Sequence, residues 1–193
     1  MIFMIKKNYL IFFTFFIASC NGITFDELLP SIRSNFIGND IEIDDEFINS
    51  RKFSFIRIKV DNRESVMSLN QILENDIFEW IGETDEKIYT FEGKIIKAVG
   101  TDFDFYIDNY ESFSCEKSVT NEYHYMLLKP SKAYFVQSAT TEKFENKCVE
   151  SFHSYKLRFK GKNQYQIKSN IVYKTTQKIH PNRSKVEVDF FYK

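Results

Sequence analysis

The chain has 193 residues, of which 17% are aromatic, with 21 Phe and 11 Tyr but only 6 Gly and 3 Pro. Its 26 basic and 27 acidic residues nearly balance, which argues against a nucleic-acid partner. The length fits a single domain with a substantial core, and the aromatic content is typical of sheet interiors, where flat rings fit the pleat.

The first twenty residues have the pattern of a bacterial lipoprotein signal. Lys6 and Lys7 form a charged start, residues 9–17 form a short apolar run, and small residues lead to Cys20. The alternative is a membrane-spanning anchor, which needs about 20 mostly apolar residues, more than this run provides. A plain secretory signal would leave Cys20 as an unexplained thiol. The pattern therefore predicts that Cys20 is the lipidation site.

Cleavage before Cys20 would remove residues 1–19 and leave residues 20–193, which we predict to be a single β-rich periplasmic domain tethered through Cys20. The cut takes Lys6 and Lys7 with it and leaves 24 basic against 27 acidic residues. Two or three acyl chains anchor a protein stably to a membrane. Asn21 stands where an aspartate would retain the lipoprotein at the inner membrane in enterobacteria, so we expect the periplasmic face of the outer membrane.

Apolar residues at helical spacing predict one short N-terminal helix over residues 25–37, ended by Gly38. From residue 52 onward the apolar pattern alternates, and turn residues interrupt it at short intervals, which predicts a meander of antiparallel hairpins. A bulge is expected near Phe55 and Ile56, where the buried face changes. The further predicted strands are residues 66–73, 77–81, 87–91, 94–99, 102–108, 122–128, 133–137, 151–160, 165–168, 171–178 and 185–192.

The run of residues 102–108 offers the one local candidate for a ligand site. Its alternation places Asp102, Asp104, Tyr106 and Asp108 on one face. An acidic ladder beside an aromatic ring could hold a sugar hydroxyl or a calcium ion, although the glycine and terminal glutamate of a calcium loop are missing. The alternative is an ordinary solvated strand face.

Cys115 and Cys148 are the two cysteines that remain beyond Cys20. The periplasm is oxidising, so an even pair there predicts a disulfide. A metal centre would need further ligands, and His124, His153 and His180 are too scattered to provide a recognisable set. We therefore predict no metal and no cofactor.

No Ser-His-Asp order, glycine-rich phosphate loop or HExxH motif occurs, so no catalytic residue is assigned. A glycan hydrolase or lyase with paired carboxylates stays open as an alternative, because the spacing it needs is spatial rather than sequential. A protein-interaction module of the cell envelope is a third alternative.

Several stretches together resemble the YjbF-type, also called GfcB-type, lipoproteins associated with capsule and exopolysaccharide secretion. Residues 77–80 (IFEW) resemble the family's strand that ends in tryptophan, and residues 91–100 (FEGKIIKAVG) its G-R-[IL]-V-x-T-x-G stretch. Residues 173–181 (YKTTQKIHP) resemble its Ser-x-Gln-x-[LI]-x-Pro ending. Lys94 replaces the family's usual arginine, and Ala98 replaces its threonine.

The resemblance implies a mainly β fold, an antiparallel β-meander curled into a barrel-like or sandwich domain. It also implies a non-enzymatic accessory in capsule or exopolysaccharide export or assembly, with the polysaccharide and export-machinery proteins as partners and the membrane contacted through the lipid.

The lipoprotein signal gives a direct prediction. Cys20→Ala should abolish incorporation of a radiolabelled fatty acid, because the acylated atom is the Cys20 sulfur. A Cys115→Ser/Cys148→Ser double variant is the matched control and should keep the label. Undiminished labelling of the Cys20 variant would end the lipoprotein interpretation.

Overall fold

The structure is a computed structural model that describes residues 42–61 and 63–193. Cys20 and the helix predicted over residues 25–37 lie outside the described residues. Within these ranges the chain is mainly β, as predicted, and no helix is long and apolar enough to cross a bilayer. The elements are α1 (Asp45–Ser50), β1 (Phe55–Val60), β2 (Arg63–Leu73), β3 (Ile77–Ile81), β4 (Lys87–Phe91), β5 (Lys94–Val99), β6 (Phe105–Asp108), β7 (Val119–Leu127), β8 (Ala133–Lys143), β9 (Lys147–Ser154), β10 (Phe159–Lys168), β11 (Ile171–Gln177) and β12 (Val186–Phe191).

The twelve strands form a closed antiparallel barrel in which each strand pairs with its neighbours in sequence. The ring closes where β1 pairs with β12, from Phe55 opposite Phe191 to Lys59 opposite Glu187. Asp189 reinforces this seam, since it is 2.5 Å from Arg57 on β1 and 3.1 Å from Lys174 on β11. Of the two predicted architectures, the barrel is correct and the sandwich is not.

Most of the predicted strands are present, and those bounded by clear turn residues are the most accurate. β3, β4 and β5 have the predicted bounds. The prediction of one strand over residues 151–160 is wrong, because the chain turns at residues 155–158 between β9 and β10. This turn contains neither glycine nor proline, and Arg158 takes the positive φ of 50° instead.

The expected bulge near Phe55 and Ile56 is also wrong. The pairing of β1 with β2 and with β12 continues through both residues without a shift. Phe55 is buried on the outside of the barrel, where its ring stacks on Phe191 at 4.6 Å and meets Phe47 of α1 edge-on at 5.7 Å. Because α1 covers the outer side of β1 at Phe55, an apolar side chain can be buried there as well as on the inner side of the strand.

Aromatic side chains fill the inside of the barrel. A barrel of about eight strands is just filled by ordinary side chains, so twelve strands enclose more space and need bulkier ones. The rings of Phe105, Tyr125 and Phe135 stack across three neighbouring strands, at 6.3 Å and 5.0 Å between successive centroids. On the opposite wall the ring of Trp80 meets that of Phe190 edge-on at 6.0 Å. The aromatic composition is thus explained by the size of the barrel.

The loop between β6 and β7, residues 109–118, closes one end of the barrel, and we call it the plug loop. Phe113 of this loop is buried, with its ring 4.9 Å from that of Tyr165 on β10. Cys115 is joined by a disulfide to Cys148 at the start of β9, with the two Cα atoms 5.6 Å apart. The predicted disulfide thus attaches the plug loop to the wall.

A buried ion pair lies beneath the plug loop. Lys94 Nζ is 2.5 Å from Glu150 Oε1, and the two side chains are 1% and 0% exposed. The other carboxylate oxygen of Glu150 accepts hydrogen bonds from Asn163 at 2.7 Å and Tyr165 at 3.2 Å. Burial lowers the pKa of Lys94, and attraction to Glu150 opposes that shift. Both carboxylate oxygens of Glu150 thus have hydrogen-bond donors inside the barrel.

Breaking this pair should cost much more than replacing both partners. Lys94→Ala leaves the Glu150 carboxylate buried and uncompensated, and we expect a loss of about 3–5 kcal/mol in the free energy of unfolding. Lys94→Met/Glu150→Gln keeps an acceptor for Asn163 and Tyr165 without any charge and should lose clearly less. Urea unfolding followed by circular dichroism measures both, and equal losses would contradict the assignment.

Candidate functional site

Asp102 does not lie on a strand, because residues 101–104 form a turn that precedes β6. Its side chain is exposed and lies 3.2 Å from Arg63 at the start of β2 and 4.0 Å from Arg183 in the turn between β11 and β12. Arg183 also lies 3.5 Å from Asp61. Asp102 therefore belongs to a group of opposite charges that spans one end of the barrel.

Asp104 holds the same turn together. Its carboxylate accepts a hydrogen bond from the Thr101 backbone N–H at 2.7 Å and forms an ion pair with Lys129 at 3.0 Å. Its backbone carbonyl accepts from the N–H groups of Leu128 and Lys129. Burial alone would raise the pKa of Asp104, but Lys129 and the N–H groups of Thr101 and Gly100 outweigh it and lower that pKa. These contacts give Asp104 a structural role.

Asp108 and Tyr106 lie on the outside of β6, opposite His124 and Met126 of β7. Asp108 is exposed at the far end of the strand from Asp102 and Asp104. Phe103, Phe105 and Ile107 point inward and are buried, as the alternation indicated. The four residues of the proposed ligand face are therefore divided between a turn and an outer strand surface and do not converge on one site.

Glu79 is a buried carboxylate that the sequence pattern did not single out. It lies on the outer side of β3 and accepts hydrogen bonds from Asn70 at 2.6 Å and Gln71 at 3.2 Å, while Lys87 lies 3.1 Å away. Burial alone would raise the pKa of Glu79, but these partners and Tyr89 lower it to about 2. A carboxylate with so many donors is stabilised as an ion and is poorly suited to give up or take a proton near neutral pH.

The histidines lie in three different settings. His180 is buried in the turn between β11 and β12, where its Nδ1 accepts from the Asn182 N–H at 3.1 Å. His124 and His153 lie on the outer surface of β7 and β9. Within residues 42–61 and 63–193, no three His, Cys, Asp or Glu side chains are grouped so that they could hold a metal ion.

Two open depressions lie on the surface of the described part of the chain. One, of about 400 Å³, lies between the turn that joins β8 and β9 and the turn that joins β10 and β11, beside Asn146, Ser169 and Tyr173. The other, of about 380 Å³, lies on the outer side of β7, β8 and β9, between Tyr134 and Tyr155. The second combines exposed aromatic rings with polar side chains, which is the composition of a binding surface, and we call it the outer groove.

The contacts of the three aspartates predict different effects of removing their charges. Asp104→Asn should lower the free energy of unfolding by about 1–3 kcal/mol, since hydrogen bonds to a charged, mostly buried group are lost. Asp102→Asn should change it by less than about 1 kcal/mol, as is usual for an exposed ion pair. Urea unfolding at neutral pH compares the two variants, and Asp108→Asn is the matched control.

The same comparison has a pH dependence. The pKa of Asp104 is lowered on folding, so its contribution is complete above the unfolded pKa of about 3.9 and is lost as the pH falls below it. The stability difference between wild type and Asp104→Asn should therefore shrink in acid. A difference that stays constant from neutral pH to pH 3 would show that the carboxylate charge is not what stabilises the turn.

Searches of protein families and of curated proteins find no match to this chain. Among solved structures, the chain is similar to the crystal structure of the hypothetical lipoprotein YmcC from Escherichia coli K12. The TM-score is 0.67 at 13% sequence identity, and the match covers 84% of this chain and 94% of the other. At this identity the similarity shows a shared fold.

Proposed function

We propose that this protein is a lipoprotein of the bacterial envelope, anchored through Cys20 to the periplasmic face of the outer membrane, and a non-enzymatic accessory in capsule or exopolysaccharide export or assembly. The observation that carries the proposal is the charged, apolar and small-residue pattern that ends at Cys20. The fold shared with a protein named a lipoprotein supports the anchor. The resemblance of residues 77–80, 91–100 and 173–181 to capsule-associated lipoproteins supports the role in polysaccharide export or assembly.

The arrangement of carboxylates favours an accessory role over glycan hydrolysis. A glycosidase needs two carboxyl groups facing each other across the bond to be cut, one of them able to donate a proton. Asp102 and Asp104 are instead engaged by Arg63 and Lys129, and Glu150 is enclosed with Lys94. Each of these three carboxylates therefore already has a cationic partner within the protein.

The tether supports a role that depends on weak contacts. A lipid on Cys20 confines the domain to one membrane surface, which raises its effective concentration toward export machinery on the same surface. An interface of modest area could then be sufficient. The slight acidic excess of residues 20–193 gives no basic footprint for nucleic acid.

Deletion of the gene tests the proposal. Loss of the protein should reduce surface or secreted polysaccharide, wild type should restore it, and Cys20→Ala should not, although it accumulates as a folded protein. Purified protein incubated with the same polymer should release no reducing ends. An unchanged amount of polysaccharide in the deletion strain would contradict the proposed role in export or assembly. Cleavage of the polymer would show that the protein is a hydrolase and not an accessory.

A further inference from the structure

The outer groove lies on the outside of the barrel wall, beside the turn that joins β9 and β10. Its floor is formed by the outward side chains of β8, and its rims come from β7 and from the turn that follows β9. The groove is lined by Glu122, Tyr134, Phe135, Val136, Ser138, His153, Tyr155 and Lys156.

Two aromatic side chains form opposite walls of the groove. Tyr155 is 87% exposed, and the ring of His153 meets it edge-on at 4.7 Å. Across the groove Tyr134 is 44% exposed, and its hydroxyl oxygen lies 3.1 Å from Nδ1 of His124. Val136 lies between these walls and is 39% exposed. The two rings and Val136 thus expose apolar surface to solvent on the same side of the barrel.

The walls of the groove are held in place by the fold. Lys156 Nζ donates to the backbone carbonyl of Tyr134 at 3.1 Å, which ties the turn after β9 to the start of β8. On the floor, Ser138 pairs with Glu122 of β7 on one side and with His153 of β9 on the other. Adjacent strands lie about 4.8 Å apart, so Glu122 and His153 stand roughly 10 Å apart across the groove. The floor of the groove and the turn at its rim are therefore positioned by the fold itself.

The polar side chains of the groove have hydrogen-bonding capacity to spare. Within the described ranges, the side chains of Glu122, Ser138 and His153 make no hydrogen bond to another group of the protein. Glu122 contributes one negative charge and Lys156 one positive charge, so the groove is nearly balanced. A strongly anionic or cationic ligand gains little from such a surface, whereas an uncharged ligand with many hydroxyl groups can use every free donor and acceptor.

We propose that the outer groove binds a neutral saccharide chain. A pyranose ring has apolar C–H faces, which can pack on the rings of Tyr134 and Tyr155, and hydroxyl groups at its edge, which can bond to Glu122, Ser138 and His153. The volume of about 380 Å³ accommodates a short stretch of such a chain. This inference deepens the proposed function and rests on it for the source of the polymer. The groove itself is defined by its side-chain contacts, which do not depend on that function.

Binding of saccharides to the full-length protein in detergent tests the groove. The probes are hexasaccharides of glucose, mannose, galactose and N-acetylglucosamine in β-1,4 or α-1,4 linkage, measured by calorimetry. Wild type should bind at least one of them, and Tyr155→Ala should weaken that binding about tenfold or more, since it removes an exposed ring on which the sugar would pack. Tyr134→Ala/Tyr155→Ala should abolish it.

Tyr173→Ala is the matched control, because Tyr173 is also an exposed outer tyrosine, 42% accessible, but lies on β11 in the other depression. It should bind like wild type. No binding to any probe by wild type, or equal binding by Tyr155→Ala and wild type, would overturn the proposal. A concentration-dependent dimer that Tyr155→Ala abolishes would also overturn it, since the groove would then be a contact between copies.

These results test the saccharide site in the groove and the role in polysaccharide export independently of each other. If deleting the gene lowers surface polysaccharide while wild type binds no probe, the groove assignment fails and the proposed function stands. If wild type binds a probe through Tyr155 while the deletion strain keeps normal polysaccharide, the pathway fails and the saccharide site stands.

Discussion

The space enclosed by a twelve-strand ring is the constraint on which the rest of this structure depends. Aliphatic side chains alone would leave such a barrel underfilled, and every unfilled volume costs packing energy. The chain fills it with stacked rings such as Phe105, Tyr125 and Phe135, and with Phe113 inserted from the plug loop. The polar contents, above all Lys94 and Glu150, are tolerated because their partners are arranged around them.

Filling the interior determines where function can be located. With the lumen occupied and one end covered by the plug loop, a ligand meets the turns and the outer surface. The opposite end is occupied by ion pairs among Arg63, Asp102 and Arg183 that satisfy one another. The outer groove differs because the side chains of Glu122, Ser138 and His153 are not already paired. They can form new hydrogen bonds without first breaking old ones.

The sequence predicted what depends on neighbouring residues and missed what depends on distant ones. Alternation and turn residues located β3, β4 and β5 and placed Phe103, Phe105 and Ile107 inside. The turn at residues 155–158 was missed because no glycine or proline marks it. The strand predicted over residues 102–108 was begun too early, because alternation cannot show that residues 101–104 form a turn. Such errors arise where side-chain contacts determine the backbone conformation and the conformational preferences of the local residues do not.

The same limit explains why the outer groove and the buried ion pair could not be found beforehand. Glu122, Ser138 and His153 are spread over three strands and become neighbours only through the register. Lys94 and Glu150 are separated by 56 positions. A lysine in a hydrophobic strand pattern indicates that a buried partner exists. Only the pairing of the strands into a closed barrel shows that this partner is Glu150.

Closure of the ring by β1 and β12 also limits the ways in which another protein can attach. Many envelope proteins recruit partners by extending a sheet with a borrowed strand, which requires a row of backbone donors and acceptors at an open edge. In the described part of this chain every strand has a neighbour on both sides, so that route is closed. Recognition by the barrel itself then relies on side chains, whose replacement can alter specificity without disturbing the scaffold. Outward side chains on the wall of this barrel can therefore be exchanged without breaking the backbone hydrogen bonds that close it.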